Sequence, residues 1–169
     1  MGVKLSRRNV LLGSGGVFAS CAVGTGFALS LGAPATGALI LTGPEIRVVD
    51  ATAEVMFPGK HFPLDGIEAG VSVEVDRIVA EVLEPVHAAG FRYVLRTLEW
   101  GTVASRGQRF SRLSIEDRAE VLSTWQGPEK MARRVAVDGI RVILGMAYFS
   151  NPDVLSSMGW RATCGGGPA

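Results

Sequence analysis

The side chains best suited to acid–base chemistry are the two histidines of the chain, His61 and His87. His61 lies near Asp65 in a stretch rich in proline and glycine, and a histidine beside a carboxylate is a candidate general base. His87 follows an apolar helical stretch, and neither histidine is part of a spaced set of metal ligands. We interpret both as loop or surface residues, and we keep an independent enzyme built on His61 and Asp65 as an alternative.

Other patterns that can carry chemistry lack their context here. The glycines of residues 13–16 do not follow a predicted strand, so they do not indicate a phosphate-binding loop. The sequence has no Gly-x-Ser-x-Gly elbow and no Cys-x-x-Cys-His haem site, and Cys21 and Cys164 are too few for a disulfide framework or a zinc site. Methionines at helical spacing are typical of a core, which is our interpretation of Met56, Met131, Met146 and Met158. The sequence therefore predicts no catalytic, cofactor or metal site in this chain.

The charge distribution excludes a nucleic-acid partner. Of the 17 Lys and Arg residues, Lys4, Arg7 and Arg8 precede residue 43, whereas all 16 acidic residues follow it. The remainder has 14 basic against 16 acidic side chains, a net charge of −2, and its basic residues are scattered among the acids. Nucleic-acid binding depends on clustered Lys and Arg that neutralise phosphates.

From residue 44 onward, the apolar residues recur at helical spacing. Pro44-Glu45 suits a first helical turn, and Pro58-Gly59 ends this helix before a loop over residues 57–70. A second helix starts near Ser72, and Pro85 is expected to end or kink it. Its expected apolar face consists of Val71, Val75, Ile78, Val79, Val82 and Val86. A third helical repeat follows Gly90 and ends at Trp100-Gly101.

Two further helices are predicted after residue 113. Ser114 is a good N-cap, with acids in the following turn. The expected buried stripe of this helix is Ile115, Ala119, Leu122 and Trp125. The last long helix follows Gly127-Pro128, and its apolar positions are Met131, Val135, Ile140, Ile143, Leu144 and Ala147. Asn151-Pro152-Asp153 then begins a short final turn.

Together these signals predict an all-α fold, a small bundle of four to six helices. The two Asp-Gly pairs, at residues 65–66 and 138–139, are not flanked by alternating apolar residues, so no β-hairpin is indicated. We divide the chain into an export or anchor segment (1–42), a helical domain (43–160) and a flexible glycine-rich tail (161–169).

The N-terminal segment resembles a twin-arginine export signal. Arg7 and Arg8 directly precede an uncharged, weakly apolar run that continues to Pro44. Three further residues match the motif around the pair, namely Ser6, Val10 and Leu11. We therefore expect the twin-arginine translocase to export the chain to the periplasm or the outer face of the cytoplasmic membrane. The alternative is a chance arginine pair before an ordinary membrane helix.

Three fates of this segment are open. Ala33-Pro34-Ala35 has the small-x-small pattern of a cleavage site, with Ala33 and Ala35 as its small residues. The run is also long enough to span a bilayer, which needs about 20 apolar residues, and it would then stay as an anchor. Finally, Phe18-Ala19-Ser20-Cys21 resembles a lipoprotein box in which Cys21 would be lipidated.

Aromatic residues near the C-terminus are candidates for contact with a partner. Tyr148, Phe149 and Trp160 lie in a segment too short to bury all three, and large aromatics dominate the energetics of interfaces. Tyr148 has the alternative of capping the bundle core. Cys164 would be unpaired if Cys21 is removed, and it could then form a disulfide with a partner in an oxidising compartment.

The order of short motifs along the chain resembles one family. After the leader come Met56-Phe57-Pro58-Gly59, Ala69-Gly70-Val71 and Leu113-Ser114-x-Glu116-Asp117-Arg118. The chain closes with Tyr148-Phe149-Ser150-Asn151-Pro152-Asp153-Val154 and Met158-Gly159-Trp160. In this order, and over nearly the whole chain, they resemble the gluconate 2-dehydrogenase subunit 3 family.

The resemblance implies a non-catalytic accessory subunit without a cofactor of its own. Proteins of this kind partner a large, FAD-binding dehydrogenase of the glucose-methanol-choline type, sometimes together with a cytochrome c subunit. The large subunit oxidises a sugar, a sugar acid or another alcohol and commonly lacks an export signal. The leader of the small subunit would then carry the folded, flavin-loaded pair across the membrane. A membrane-anchored scaffold for another redox protein is the remaining alternative.

Overall fold

The computed structural model describes residues 32–127 and 131–160, and its secondary structure there is helical without any strand. Five helices have eleven residues or more, and two are shorter. The elements in chain order are α1 (Gly43–Met56), α2 (Val71–Glu81), α3 (Pro85–Gly101), α4 (Val103–Arg106), a 3-10 helix (Phe110–Arg112), α5 (Ile115–Trp125), α6 (Met131–Phe149) and α7 (Pro152–Ser157). The all-α prediction is confirmed.

No helix within residues 32–127 and 131–160 has the length and apolar character needed to cross a bilayer. The residues of the predicted export signal (Ser6, Arg7, Arg8, Val10 and Leu11) lie outside the described part of the chain, as do Cys21 and Cys164.

Helix α1 is the centre of the bundle. It packs against α2, α3, α5 and the 3-10 helix, and α2 in turn makes its most extensive contact with α6. The core is built mainly from Val, Leu and Ala, with Leu95, Leu98 and Leu144 completely buried. Each such leucine stabilises the fold by about 1.5–3 kcal/mol relative to an exposed side chain. Burial between helices, rather than helix propensity, therefore holds the domain together.

The link between α2 and α3 differs from the sequence prediction. Helix α2 ends at Glu81, and Pro85 lies in the first turn of α3, where its missing N–H is not needed. Val82 and Val86 are consequently 59% and 52% exposed, so they do not belong to the buried face of α2. Gly90 lies inside α3 rather than before it.

Two predicted buried stripes are also partly wrong. On α5, Ile115 and Ala119 are exposed, because the buried face consists of Val121, Leu122 and Trp125. On α6, Met131 and Val135 are exposed. The residues of α6 that face the core are Val137, Ile140, Leu144, Ala147 and Tyr148. The predicted cap of α5 is confirmed, since the Asp117 N–H donates to Ser114 Oγ at 3.1 Å.

The helical body begins before α1, within the segment assigned to the leader. The Asp76 carboxylate, on α2 and 5% exposed, accepts hydrogen bonds from three consecutive backbone N–H groups. The donors are Leu39 at 2.5 Å, Ile40 at 3.1 Å and Leu41 at 2.7 Å. We call this contact the Asp76 clasp. Leu41 is fully buried, and its carbonyl accepts the Ala35 N–H at 2.9 Å, so the body reaches back at least to Ala35.

Candidate functional site

The motifs at the two ends of the domain pack against each other. The ring of Phe57, just after α1, stacks on the ring of Tyr148, near the end of α6, with centroids 4.1 Å apart and planes within 5° of parallel. Phe62 and Phe149 meet this pair edge-on. The ring centroid of Tyr148 lies 5.5 Å from that of Phe62 and 5.2 Å from that of Phe149. Such arrangements add to the stabilisation that burial alone provides. The aromatic cluster therefore joins the loop after α1 to the end of α6.

Tyr148 is a core residue, which agrees with the alternative that it caps the bundle core rather than with contact to a partner. Its side chain is completely buried, and its hydroxyl donates to the Leu64 carbonyl at 2.8 Å. Burial raises the pKa of Tyr148 above its ordinary value of 10.0, although the bond to Leu64 opposes this, so the phenol is neutral at physiological pH. Phe149 and Trp160 remain 42% and 57% exposed. These two aromatic residues are therefore accessible to another molecule.

Asn151 connects the last helix to the loop before α2. Its Oδ1 accepts the Asp153 N–H at 2.8 Å and so caps α7, while its Nδ2 donates to the Ala69 carbonyl at 3.0 Å. Gly70 follows with φ +68°, a left-handed conformation that favours glycine. The Ala69-Gly70-Val71 motif and the Asn151-Pro152-Asp153 motif are thus parts of one contact.

The Leu113–Arg118 motif is also structural. The Arg118 guanidinium pairs with Glu54 on α1, and it also donates to the Ser111 carbonyl at 3.2 Å. Asp117 pairs with Arg106 from α4. These contacts fix the start of α5 against α1 and α4.

A buried charge cluster lies where α3 meets the start of α1. The Glu45 carboxylate, fully buried, accepts Arg92 Nε at 3.1 Å and Arg96 Nε at 2.8 Å. It also accepts the Thr42 N–H at 2.8 Å, as in a capping box. From the sequence, Glu45 is predicted only as a helix-start residue, and its arginine partners are not apparent. The available signal was a pair of arginines one helical turn apart on α3.

Glu45 and Arg96 of this cluster line a small cleft of about 240 Å³. The lining also includes Glu99, Trp100 and Arg109, with the Arg109 guanidinium 4.1 Å from the Trp100 ring centroid. Glu99 is buried and accepts the Ser111 N–H at 2.9 Å and the Ser111 hydroxyl at 2.8 Å. Both carboxylates of the cleft are therefore engaged in holding chain segments together.

The histidines do not form a site in the described residues. His61 is exposed, and Asp65 Oδ1 accepts the N–H groups of Ile67 and Glu68, each at 2.8 Å. Asp65 thus stabilises a turn. His87 is exposed with Glu84 at 3.8 Å. Across residues 32–127 and 131–160, no three His, Cys, Asp or Glu side chains are close enough to hold a metal ion.

The residues of the predicted cleavage pattern lie at the start of the described chain. Ala33 is exposed, whereas Ala35 is half-buried and donates its N–H to the Leu41 carbonyl. Peptide cleavage after Ala35 would leave the three donors of the Asp76 clasp in the mature chain.

These features define a small helical domain whose motif residues hold helices together rather than surround a substrate. The sequence of residues 44–161 matches the family model described as gluconate 2-dehydrogenase subunit 3. The chain belongs to the gluconate 2-dehydrogenase subunit 3 family. No curated protein and no solved structure matches it. The family name places the chain among the subunits of a multi-subunit dehydrogenase.

Proposed function

We propose that this chain is the non-catalytic small subunit of a flavin-dependent dehydrogenase complex, which it stabilises and exports. The observation that carries the proposal is the family match over residues 44–161, because that family is defined as a dehydrogenase subunit. The large subunit would bind FAD, belong to the glucose-methanol-choline type and oxidise a sugar, a sugar acid or another alcohol. A cytochrome c subunit would accept the electrons in complexes that contain one.

The contacts of the motif residues support an accessory role. Phe57, Tyr148 and Asn151 join the two ends of the domain, and Arg118 joins α5 to α1. The motif residues that carry the resemblance are therefore occupied in building the helical body. A rigid body with exposed apolar side chains is suited to binding another protein, because little conformational entropy is lost when it binds.

Export is the second part of the proposed role. The twin-arginine route accepts folded proteins, and FAD must be bound in the cytoplasm, so one leader on the small subunit would serve both chains. The complex would then act in the periplasm or at the outer face of the cytoplasmic membrane.

The partner is tested by isolating the complex. The chain, tagged at its C-terminus, is purified from the membranes and periplasm of its native host, and the absorbance spectrum of the product is recorded. We expect a much larger protein with flavin bands and dehydrogenase activity on a sugar, sugar acid or alcohol. A chain that is purified alone and without colour would contradict the proposal and favour the scaffold or the independent enzyme.

The export step is tested by replacing Arg7 and Arg8 together with Lys. Because the translocase recognises the arginine pair, we expect periplasmic dehydrogenase activity to fall at least tenfold and the complex to accumulate in the cytoplasm. Lys4→Arg is the control, since it changes a basic residue outside the pair. Unchanged periplasmic activity in the double variant would show that export does not depend on this leader.

A further inference from the structure

Helix α6 is apolar on two opposite sides. Its inner side is buried, whereas five large apolar residues lie on the outer side at exposures between 42% and 70%. These five residues, which we call the α6 stripe, are Met131, Val135, Val142, Met146 and Phe149. At about 100° per residue they fall within a sector of roughly 60°, and the centre of that sector lies about 180° from the centre of the buried side.

A stripe of this kind is unusual for a helix whose outer side faces water. Surface helices normally present polar residues opposite their buried side, and contiguous exposed apolar residues mark interaction sites. From Met131 to Phe149 the stripe is about 27 Å long at 1.5 Å per residue. A helix of this length is a suitable centre for one side of a standard interface, which buries about 800 Å² per partner.

The residues on the two flanks of the α6 stripe indicate what kind of partner surface would bind there. Arg134 and Arg141 lie along one flank with the exposed Asp138 between them in the sequence, so this flank has a net charge of +1. On the other flank, Gly139 occupies the interior of the helix, where an added Cβ would meet nothing of this chain within 4 Å. A partner with an apolar groove and acidic residues opposite Arg134 and Arg141 fits these flanks, and its backbone could approach closely at Gly139.

We propose that the α6 stripe is the surface that binds the large dehydrogenase subunit. The proposal rests on the proposed function, because membership of a dehydrogenase subunit family provides the partner. It goes further by locating the contact on one helix. Phe149 connects this surface to the aromatic cluster, where it meets both Phe57 and Tyr148 edge-on. The cluster therefore fixes the end of the α6 stripe to the rigid body.

The test replaces the centre of the stripe with charge in the full-length tagged chain. Val142→Glu and Met146→Glu, made separately, place a carboxylate where the partner should exclude water. We expect each to weaken binding of the flavoprotein at least about 30-fold, with unchanged far-UV circular dichroism and unfolding midpoint. The matched control is Val73→Glu on α2, because Val73 is 77% exposed and lies outside the stripe. The control should bind like the unmodified chain.

A second variant separates binding from folding. Gly139→Ala should raise the stability of the isolated chain, because alanine is the better helix former and the site is open. If the partner backbone lies close to this position, the same variant should weaken the complex several-fold. Opposite changes in these two measurements cannot result from a folding defect.

Three other results of the binding experiment would contradict the assignment of the α6 stripe. If the unmodified chain binds a flavoprotein and both glutamate variants bind it equally well, the assignment of the α6 stripe is wrong while the proposed function stands. If no flavoprotein is isolated with the unmodified chain, the proposed function and the assignment of the α6 stripe are both wrong. If the isolated chain dimerises and the glutamate variants only dissociate that dimer, the stripe binds a second copy of the chain and the proposal is overturned.

Discussion

The Asp76 clasp allows the contribution of the segment before α1 to be predicted. In Asp76→Ala, the backbone N–H groups of Leu39, Ile40 and Leu41 lose a charged acceptor at one position. The segment would then be held by the Leu41 side chain and by the bond between Leu41 and Ala35. We expect a large loss of stability, because this acceptor serves three donors at once.

The size of the loss follows from the burial of the donors. The Leu41 N–H is buried, so removal of its acceptor costs about 1–3 kcal/mol. The N–H groups of Leu39 and Ile40 are only partly buried, and water replaces much of what they lose. The expected total is about 3 kcal/mol, a large share of the 5–15 kcal/mol by which a typical domain is stable. Asp76→Asn should lose about half as much, because hydrogen bonds to a neutral acceptor are about half as strong.

The assay is urea unfolding of the full-length chain, followed by circular dichroism. Asp138→Ala is the control, since Asp138 is an exposed acid of α6 and should change the free energy of unfolding by less than about 0.5 kcal/mol. Limited proteolysis should also become faster within residues 36–42 in Asp76→Ala. A loss below about 1 kcal/mol, or equal losses for Asp76→Ala and Asp138→Ala, would refute the claim that the clasp holds this segment.

Three further variants test stability alone. Gly66→Ala would place a Cβ 2.7 Å from both the Cβ and the carbonyl oxygen of Ala53 on α1, so we expect a loss of about 3 kcal/mol in urea unfolding. Gly90→Ala, inside α3 with nothing within 4 Å, should instead gain up to about 1 kcal/mol, and a shift of both variants in the same direction would contradict the packing. The pKa of Asp50 is raised above 3.8 mainly by burial and also by Glu54, against a hydrogen bond from Ser72, so its ionised form costs stability at neutral pH. Asp50→Asn should therefore raise the thermal midpoint at pH 7, and this rise should become smaller as the pH falls toward about 4. A rise in midpoint that becomes larger at acidic pH would show that ionised Asp50 does not destabilise the fold.

The elements that the sequence predicts well depend on local signals. Pro58-Gly59 ends α1 because both residues disfavour helix, and Ser114 starts α5 because its hydroxyl accepts an N–H three residues later. The polar contacts that hold the helices together were missed. Asp76 accepts hydrogen bonds from N–H groups that are 35 to 37 positions away in the sequence. Glu45 pairs with two arginines, at separations of 47 and 51 positions. Residue types at such separations do not reveal which of many possible partners meet after folding.

Burial was hardest to predict where a helix has two apolar sides. Periodicity identifies apolar positions of α6 but not the side that the chain itself covers, so Met131 and Val135 were assigned to the same core as Ile140 and Leu144. In the fold, the chain covers only the side with Ile140 and Leu144. An apolar residue at an exposed position contributes little to the stability of the isolated subunit, whereas it stabilises a complex once a partner removes it from water. The proposed function therefore explains why Met131 and Val135 are apolar although they lie outside the core. The hydrophobic pattern of α6 would reflect burial in the dehydrogenase complex rather than in the subunit alone.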